Sequence, residues 1–326
     1  MVALVGKWFG KSKRGLIFGI WNSHASVGQA LGSVVASAFV EKQWALSFIV
    51  PGVIIIACGI FALLFVIVRP EDVGFPPANF CEGPPEPGPE GCGESASTVA
   101  SAKKILRPDE PTLHFLAALR TPGVVEFAMC VFFNKAVSYV FFLWLPVYIK
   151  DENPILGSAA AGYLSMIFDI GAILGGIITG ALSDWVGARG GVSFAFALMA
   201  GVFLVLFVNF GPANFGSLVT LLLCLGITVV GPYTLITTAV SADLGASLKG
   251  KPLATVTGII NGMGSFGSAH GPLMVGHLRN SHDWRTVFHV LTAMEVVSAL
   301  CLTRIVYAEM RDWRGRRRAA KALEEK

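Results

Sequence analysis

Charge is scarce in this chain: Asp, Glu, Lys and Arg make up only 14% of its 326 residues, where a soluble globular domain carries about a quarter. Too little polar surface remains to clothe a water-soluble fold. The net charge of +4 is not gathered on one face but follows alternate connections, which excludes a nucleic-acid binder. A disulfide framework is also lacking. Of Cys58, Cys81, Cys92, Cys130, Cys224 and Cys301, four fall inside apolar runs, and Cys81 and Cys92 lie in a loop read as facing a reducing compartment. No cluster with metal-ligand spacing, no nucleophile elbow and no phosphate-cradling loop is recognisable. The reading is therefore neither an enzyme nor a protein with a metal or cofactor. The opening MVALVGKWF is neither a cleavable signal peptide nor a full membrane span.

What is present is apolar residues, at 54%, and 37 glycines, many inside apolar runs, a position that membrane helices tolerate. Eight runs reach the roughly 20 residues that a helix needs to cross about 30 Å of hydrocarbon. They are Leu16–Phe39, Ala45–Val68, Gly123–Ile149, Ala159–Leu182, Val192–Phe210, Leu218–Val240, Ala254–Leu278 and Val287–Tyr307. Each should be a helix, because backbone groups in lipid have no water to bond. The fold class is thus all-α, a polytopic membrane protein embedded in a lipid bilayer. Lys7, Lys11, Lys13, Arg14, Arg69, Lys103, Lys104, Arg107, Arg120, Arg189, Lys249, Lys251 and the tail from Arg304 onward share one side, against Lys42, Lys150, Arg279 and Arg285 on the other. The positive-inside rule then places both termini in the cytoplasm.

Residues 69–121, with CEGPPEPGPEGCGES at their centre, are too poor in apolar groups to bury a core and read as a disordered cytoplasmic linker. They separate a two-helix segment, 1–68, from a six-helix bundle, 122–307, which a basic cytoplasmic tail, 308–326, follows. GIWNSHASVGQALG in the first run and GIINGMGSFGSAHG in the seventh align, so that Gly19, Ile20, Asn22, Gly28 and Gly32 correspond to Gly258, Ile259, Asn261, Gly267 and Gly271. If these are equivalent helices of duplicated six-helix halves, four further helices are expected on the amino-terminal side. The linker, which precedes six runs but follows two, gives the same expectation.

Between the fourth and fifth runs stands GALSDWVGARG, in which Gly180, Asp184, Gly187 and Arg189 fit G-x-x-x-D-x-x-G-x-R. This resembles the signature of the major facilitator superfamily. The segments GKWFGKSKRGLIFGIWNSHASVG, FFNKAVSYVFFLWLPVYI and AGYLSMIFDIGAILGGIITGALSDWVGARG resemble, more narrowly, the organophosphate:phosphate antiporters. Within these they are similar to the eukaryotic branch of sugar-phosphate exchangers and glycerol-3-phosphate transporters. The resemblance implies a partial major facilitator fold with eight of twelve transmembrane helices. It also implies exchange of an organic phosphate for inorganic phosphate through a cavity that opens alternately to each side. An endoplasmic reticulum membrane is implied by resemblance alone. The competing reading is a non-transporting sensor, or a truncated partner-binding protein, of the same fold. Since alternating access needs two comparable bundles, residues 1–326 by themselves are expected not to catalyse vectorial exchange, and self-association through Gly28 and Gly32 stays open.

Lys135 is the first candidate for the substrate site. An ionised Lys in mid-span costs on the order of 2.5–3.5 kcal/mol, and phosphate oxygens or a buried acid must offset that. Asp169 in the next run is the candidate acid, for coupling or gating, with a backbone-bonded Asp as the alternative. Bacterial members of the family carry an arginine at the place of Ser138, and their motif histidine at Ala25 rather than His24, so their site does not transfer directly. His24 is either a phosphate-binding or a helix-packing residue. Tyr139 is a candidate for the cavity wall, whereas Trp144 and Tyr148 read as interface anchors. Asp184 and Arg189 can pair with each other or with a helix terminus and so govern conformation. GMGSFG formally fits a dinucleotide fingerprint, but inside an apolar run it reads as helix packing, as do Gly171, Gly175, Gly176 and Gly180.

Overall fold

The computed structural model describes residues 14–40, 43–65, 118–153, 155, 157–211, 214–247 and 253–324. All eight expected runs are helical within them: α1 Arg14–Val40, α2 Leu46–Phe65, α3 Val124–Glu152, α4 Ser158–Val186, α5 Arg189–Phe210, α6 Phe215–Leu235, α8 Leu253–Arg279 and α9 Trp284–Glu324. Between α6 and α8, a π-helical turn, Ile236–Val240, runs into the short helix α7, Ser241–Ser247. Six of the helices are long and apolar enough to cross a membrane, and the protein is a multi-pass integral membrane protein. The two that fall short, α1 and α8, have ample length at 27 residues each. They are the repeat-bearing pair, whose Asn, Ser, His and Gly positions dilute their apolarity.

The residues after 307, read from sequence as a separate tail, continue α9 as far as Glu324; Ala and charged residues favour helix even where they no longer favour lipid. Most of the expected linker lies outside the described residues, and its end, from Ala118, forms a turn in which the Thr121 and Val124 N–H groups donate to the Ala118 and Thr121 carbonyls. Gly123 then starts α3 with φ +96°, a conformation in which a Cβ would be strained. Its N–H donates to Glu126 Oε2 at 3.1 Å, while Arg304 Nη1 reaches Glu126 Oε1 at 2.8 Å and ties the start of α3 to α9.

Helices in lipid gain little from burying apolar surface against each other, so close backbone approach and polar contacts must hold them. Glycine provides the approach. A Cβ on Gly171 would meet the Leu223 carbonyl, one on Gly175 the Ile227 carbonyl and one on Gly226 the Phe168 carbonyl, so α4 and α6 lie backbone to backbone. Likewise Gly267 and Gly271 of α8 lie on the Phe132 and Ala136 carbonyls of α3. α1 packs chiefly on α4, with Ser37 against Gly162, whereas α2 buries none of its residues. Aromatic rings fill the bundle of α3, α4, α5 and α9: Phe141 stacks on Phe168 at 4.8 Å, with Phe207, Phe288 and Tyr148 around them. Tyr148 is thus a core residue rather than an interface anchor, because its side of α3 faces the bundle. Trp144, expected in the same role, donates from Nε1 to the Pro272 carbonyl of α8 at 3.2 Å.

Candidate functional site

Lys135 lies half-way along α3, on the side that meets α8 and α6. Its Nζ donates to Asn261 Oδ1 of α8 at 2.9 Å and sits 5.7 Å from the centroid of the Tyr233 ring of α6. Gly264 permits this. A Cβ there would press on Lys135 Cδ and on Val131, so the side chain lies along a gap in α8. A hydrogen bond to a charged group contributes about 1.5–3 kcal/mol and a cation–π contact about 0.5–2 kcal/mol. Together these are of the size needed to hold an ammonium at that depth. An ammonium has three donors, so at least one remains beyond the bond to Asn261. Asn261, Ser265 and Phe266 beside it are exposed, and the group therefore opens to the surface of α8.

Tyr139, one turn along α3 from Lys135, packs edge-on against Phe142 with centroids 5.6 Å apart. Tyr233 is within electrostatic reach of both Tyr139 and Asp169. Asp169 is 3% exposed and forms neither a hydrogen bond nor an ion pair among the described residues. The ion pair with Lys135 that depth alone suggested is absent there, since the ammonium turns instead to Asn261 and Tyr233. The structure thus brings Lys135 to Asn261 and Tyr233, with Tyr139 one turn further along α3. It does not bring His24 to them. That ring has Nδ1 2.6 Å from the Trp21 carbonyl and lies against the Trp21 ring at 4.8 Å, on an exposed part of α1.

A second polar cluster surrounds the α4–α5 turn. Gly187, with φ +68°, ends α4, and Arg189 opens α5. Arg189 Nη2 lies 3.7 Å from Asp184 and 3.1 Å from Asp243 of α7. Asp184 Oδ2 accepts from the Leu16 N–H at the start of α1 at 2.9 Å. Both partnerships expected for Asp184, with Arg189 and with a helix terminus, therefore occur together. Glu309 of α9 completes the cluster by accepting from the Gly190 and Gly191 N–H groups at 2.9 and 2.8 Å, where a carboxylate suits the positive end of α5. A cavity of about 560 Å³ adjoins it, with Glu126, Arg189, Asp243, Arg304 and Glu309 in its wall. Another of about 390 Å³, lined by Tyr148, Glu152, Asn209 and Trp284, lies elsewhere, and neither is lined by Lys135.

Sequence reasoning missed Tyr233, Asn261, Asp243 and Glu309 as members of these clusters. Asn261 had a signal, since it is the repeat counterpart of Asn22, but only the fold shows what it holds. Tyr233 follows Pro232 in a run that otherwise reads as plain membrane helix, and nothing local marks it.

The sequence model of the Major Facilitator Superfamily matches residues 1–256. The chain is 44% identical over 329 residues to the glucose-6-phosphate exchanger of Bos taurus, covering 96% of this chain and 66% of that protein. Its human counterpart is 44% identical over 328 residues, covering 96% of this chain and 65% of the human protein. A protein of Arabidopsis thaliana named as a glycerol-3-phosphate transporter is 41% identical over 322 residues, covering 96% of this chain and 61% of the plant protein. The chain thus spans somewhat under two thirds of the length of these relatives.

Proposed function

This chain belongs to the major facilitator superfamily, and we propose on that premise that it serves the transport of a phosphorylated small molecule, a sugar phosphate or glycerol 3-phosphate, in exchange for inorganic phosphate. The observation that carries the reading is Lys135. A cation held at mid-bundle by one neutral amide and one aromatic face, with no carboxylate neutralising it among the described residues, is poised for an anionic ligand. The relatives named for glucose 6-phosphate and glycerol 3-phosphate share a phosphate ester, which is the part a compact ammonium recognises. Tyr233 flanks the ammonium as an aromatic wall, and Tyr139, one turn along α3, is the candidate to extend it. Asp169, buried in α4 and without a hydrogen bond or ion pair among the described residues, is the candidate for coupling or gating.

In this reading the cluster at the α4–α5 turn sets conformation and does not touch substrate. Asp184 holds α1 to the turn, and Arg189 bridges to α7, so the pairs must break or reform when α1 moves against α4. Nothing is made or cleaved, and the protein is a transporter rather than an enzyme. The basic connections support cytoplasmic termini by the positive-inside rule, and an endoplasmic reticulum membrane rests on the family resemblance alone.

Equilibrium binding of labelled glucose 6-phosphate and glycerol 3-phosphate, measured with the whole chain in lipid bilayers, is the direct test. Losing a charge-assisted hydrogen bond of about 1.5–3 kcal/mol in Lys135→Gln should weaken binding roughly 10- to 150-fold. Lys135→Arg should keep part of it, because charge survives with altered geometry. Unchanged affinity in Lys135→Gln would remove Lys135 from the site.

A further inference from the structure

One pair of polar side chains belongs to neither cluster. Asn134 of α3 and Glu295 of α9 are both 0% exposed, and Asn134 Nδ2 donates to Glu295 Oε2 at 2.9 Å. The amide oxygen Asn134 Oδ1 and the second carboxyl oxygen Glu295 Oε1 are fully buried and have no hydrogen-bond partner. Two buried acceptors left unsatisfied on one bonded pair would each cost about 1–3 kcal/mol. A single proton removes both faults: placed on Glu295 Oε1, it turns that oxygen into the donor that Asn134 Oδ1 lacks. The result is a ring of two hydrogen bonds between a carboxylic acid and an amide.

The surroundings give a charged Glu295 nothing to pair with. Along α3 the titratable groups near Asn134 are Glu126, Cys130, Lys135 and Tyr139, with Tyr148, Lys150, Asp151 and Glu152 at the far end of the helix; Glu126 is held by Arg304, Lys135 by Asn261, Lys150 donates to Ser158 Oγ, and the Cys130 thiol bonds to Ser298 Oγ at 3.2 Å. On α9 itself the neighbours are Ser298 and Cys301. α5, the other helix packed along α9, has no titratable residue after Arg189, which pairs with Asp184 and Asp243. α8 brings His270, His277 and Arg279, and Arg279 pairs with Asp151 at 2.7 Å. Among the described residues no cation forms an ion pair with Glu295.

We propose that Glu295 is a proton-binding site, held as a carboxylic acid in a two-bond ring with Asn134 that locks α9 to α3 directly beside Lys135. Proton binding and helix docking are then one event, and Asn134 and Glu295 are positioning residues that fix the rotation of α3.

Infrared difference spectroscopy on the whole chain in bilayers at neutral pH tests this. Subtracting the spectrum of Glu295→Gln from that of the parent should leave the C=O stretching band of a protonated carboxyl, shifted in D₂O. The Gln side chain rebuilds the ring as an amide pair, so this variant should melt where the parent does. Asn134→Asp places two acids together and should melt lower, and adding Glu295→Gln to it should restore stability with the acid band now arising from α3. A difference spectrum without the band overturns the proposal, since Glu295 would then be ionised. A Glu295→Gln variant that melts well below the parent, while retaining its helix content, overturns the ring.

Discussion

Gly28 and Gly267 occupy equivalent places in the two copies of the repeat, yet their surroundings differ completely. A Cβ on Gly28 would meet nothing within 4 Å, whereas one on Gly267 would fall on the Phe132 carbonyl, with the Phe132 Cα at 3.0 Å. Gly→Ala at either site gains about 0.8–1.0 kcal/mol of helix propensity, and that gain cancels when the two variants are compared. What remains is overpacking, about 1–3 kcal/mol, and its upper part is expected because the obstacle is backbone and cannot swing aside like a rotamer. At roughly 2–4 °C per kcal/mol for a chain of this order of size, Gly267→Ala should melt about 4 to 12 °C below Gly28→Ala, from about 2–3 kcal/mol of overpacking. Thermal unfolding of both purified variants in one detergent reads the difference directly. Equal melting would show that α8 does not lie on α3 by backbone contact, and the placement of Lys135 against Asn261 would fall with it.

Removing the aromatic face in Tyr233→Leu should weaken phosphate-ester binding by about 2- to 30-fold, the worth of a cation–π contact of about 0.5–2 kcal/mol; affinity equal to the parent would exclude Tyr233 from the wall. Glu309→Ala leaves two N–H groups of α5 without their acceptor and should cost about 0.5–2 kcal/mol, as loss of an N-cap does. A melting curve that does not move would refute the cap. Asp184→Leu should broaden the distance distribution between spin labels placed on α1 and α5, while Asp184→Asn, which keeps an acceptor for the Leu16 N–H, should broaden it less. Identical distributions in all three proteins would deny the α4–α5 turn its hold on α1.

Helix positions were legible in the sequence because membrane helices must carry their own hydrogen bonds, and long apolar runs leave no alternative. The pairing of Asp184 with Arg189 was legible too, through fixed spacing. Partners between distant helices were not. Lys135 announces itself as a charge in a span, but whether it turns to Asp169 or to Asn261 depends on helix rotation, which α3 scarcely encodes since apolar residues surround it on all sides. Glu295 was visible as a carboxylate within an expected span and was passed over, because only the position of Asn134 across the α3–α9 seam gives it a meaning.

The π-helical turn at Ile236–Val240 has an effect on the far side of the chain's polar architecture. A π turn takes in one residue more than an α turn, which advances everything after it by about 100° around the helix axis. α7 therefore leaves α6 on a shifted register. It is in this register that Asp243 points at Arg189, 3.1 Å away, while Tyr233, before the turn, keeps its own heading towards Lys135. A one-residue deletion inside Ile236–Val240 would restore plain α geometry and swing Asp243 off Arg189 without moving Tyr233. The turn thus acts as a phase shifter between two polar clusters on a single continuous rod, and any rewinding of it would rotate one cluster relative to the other.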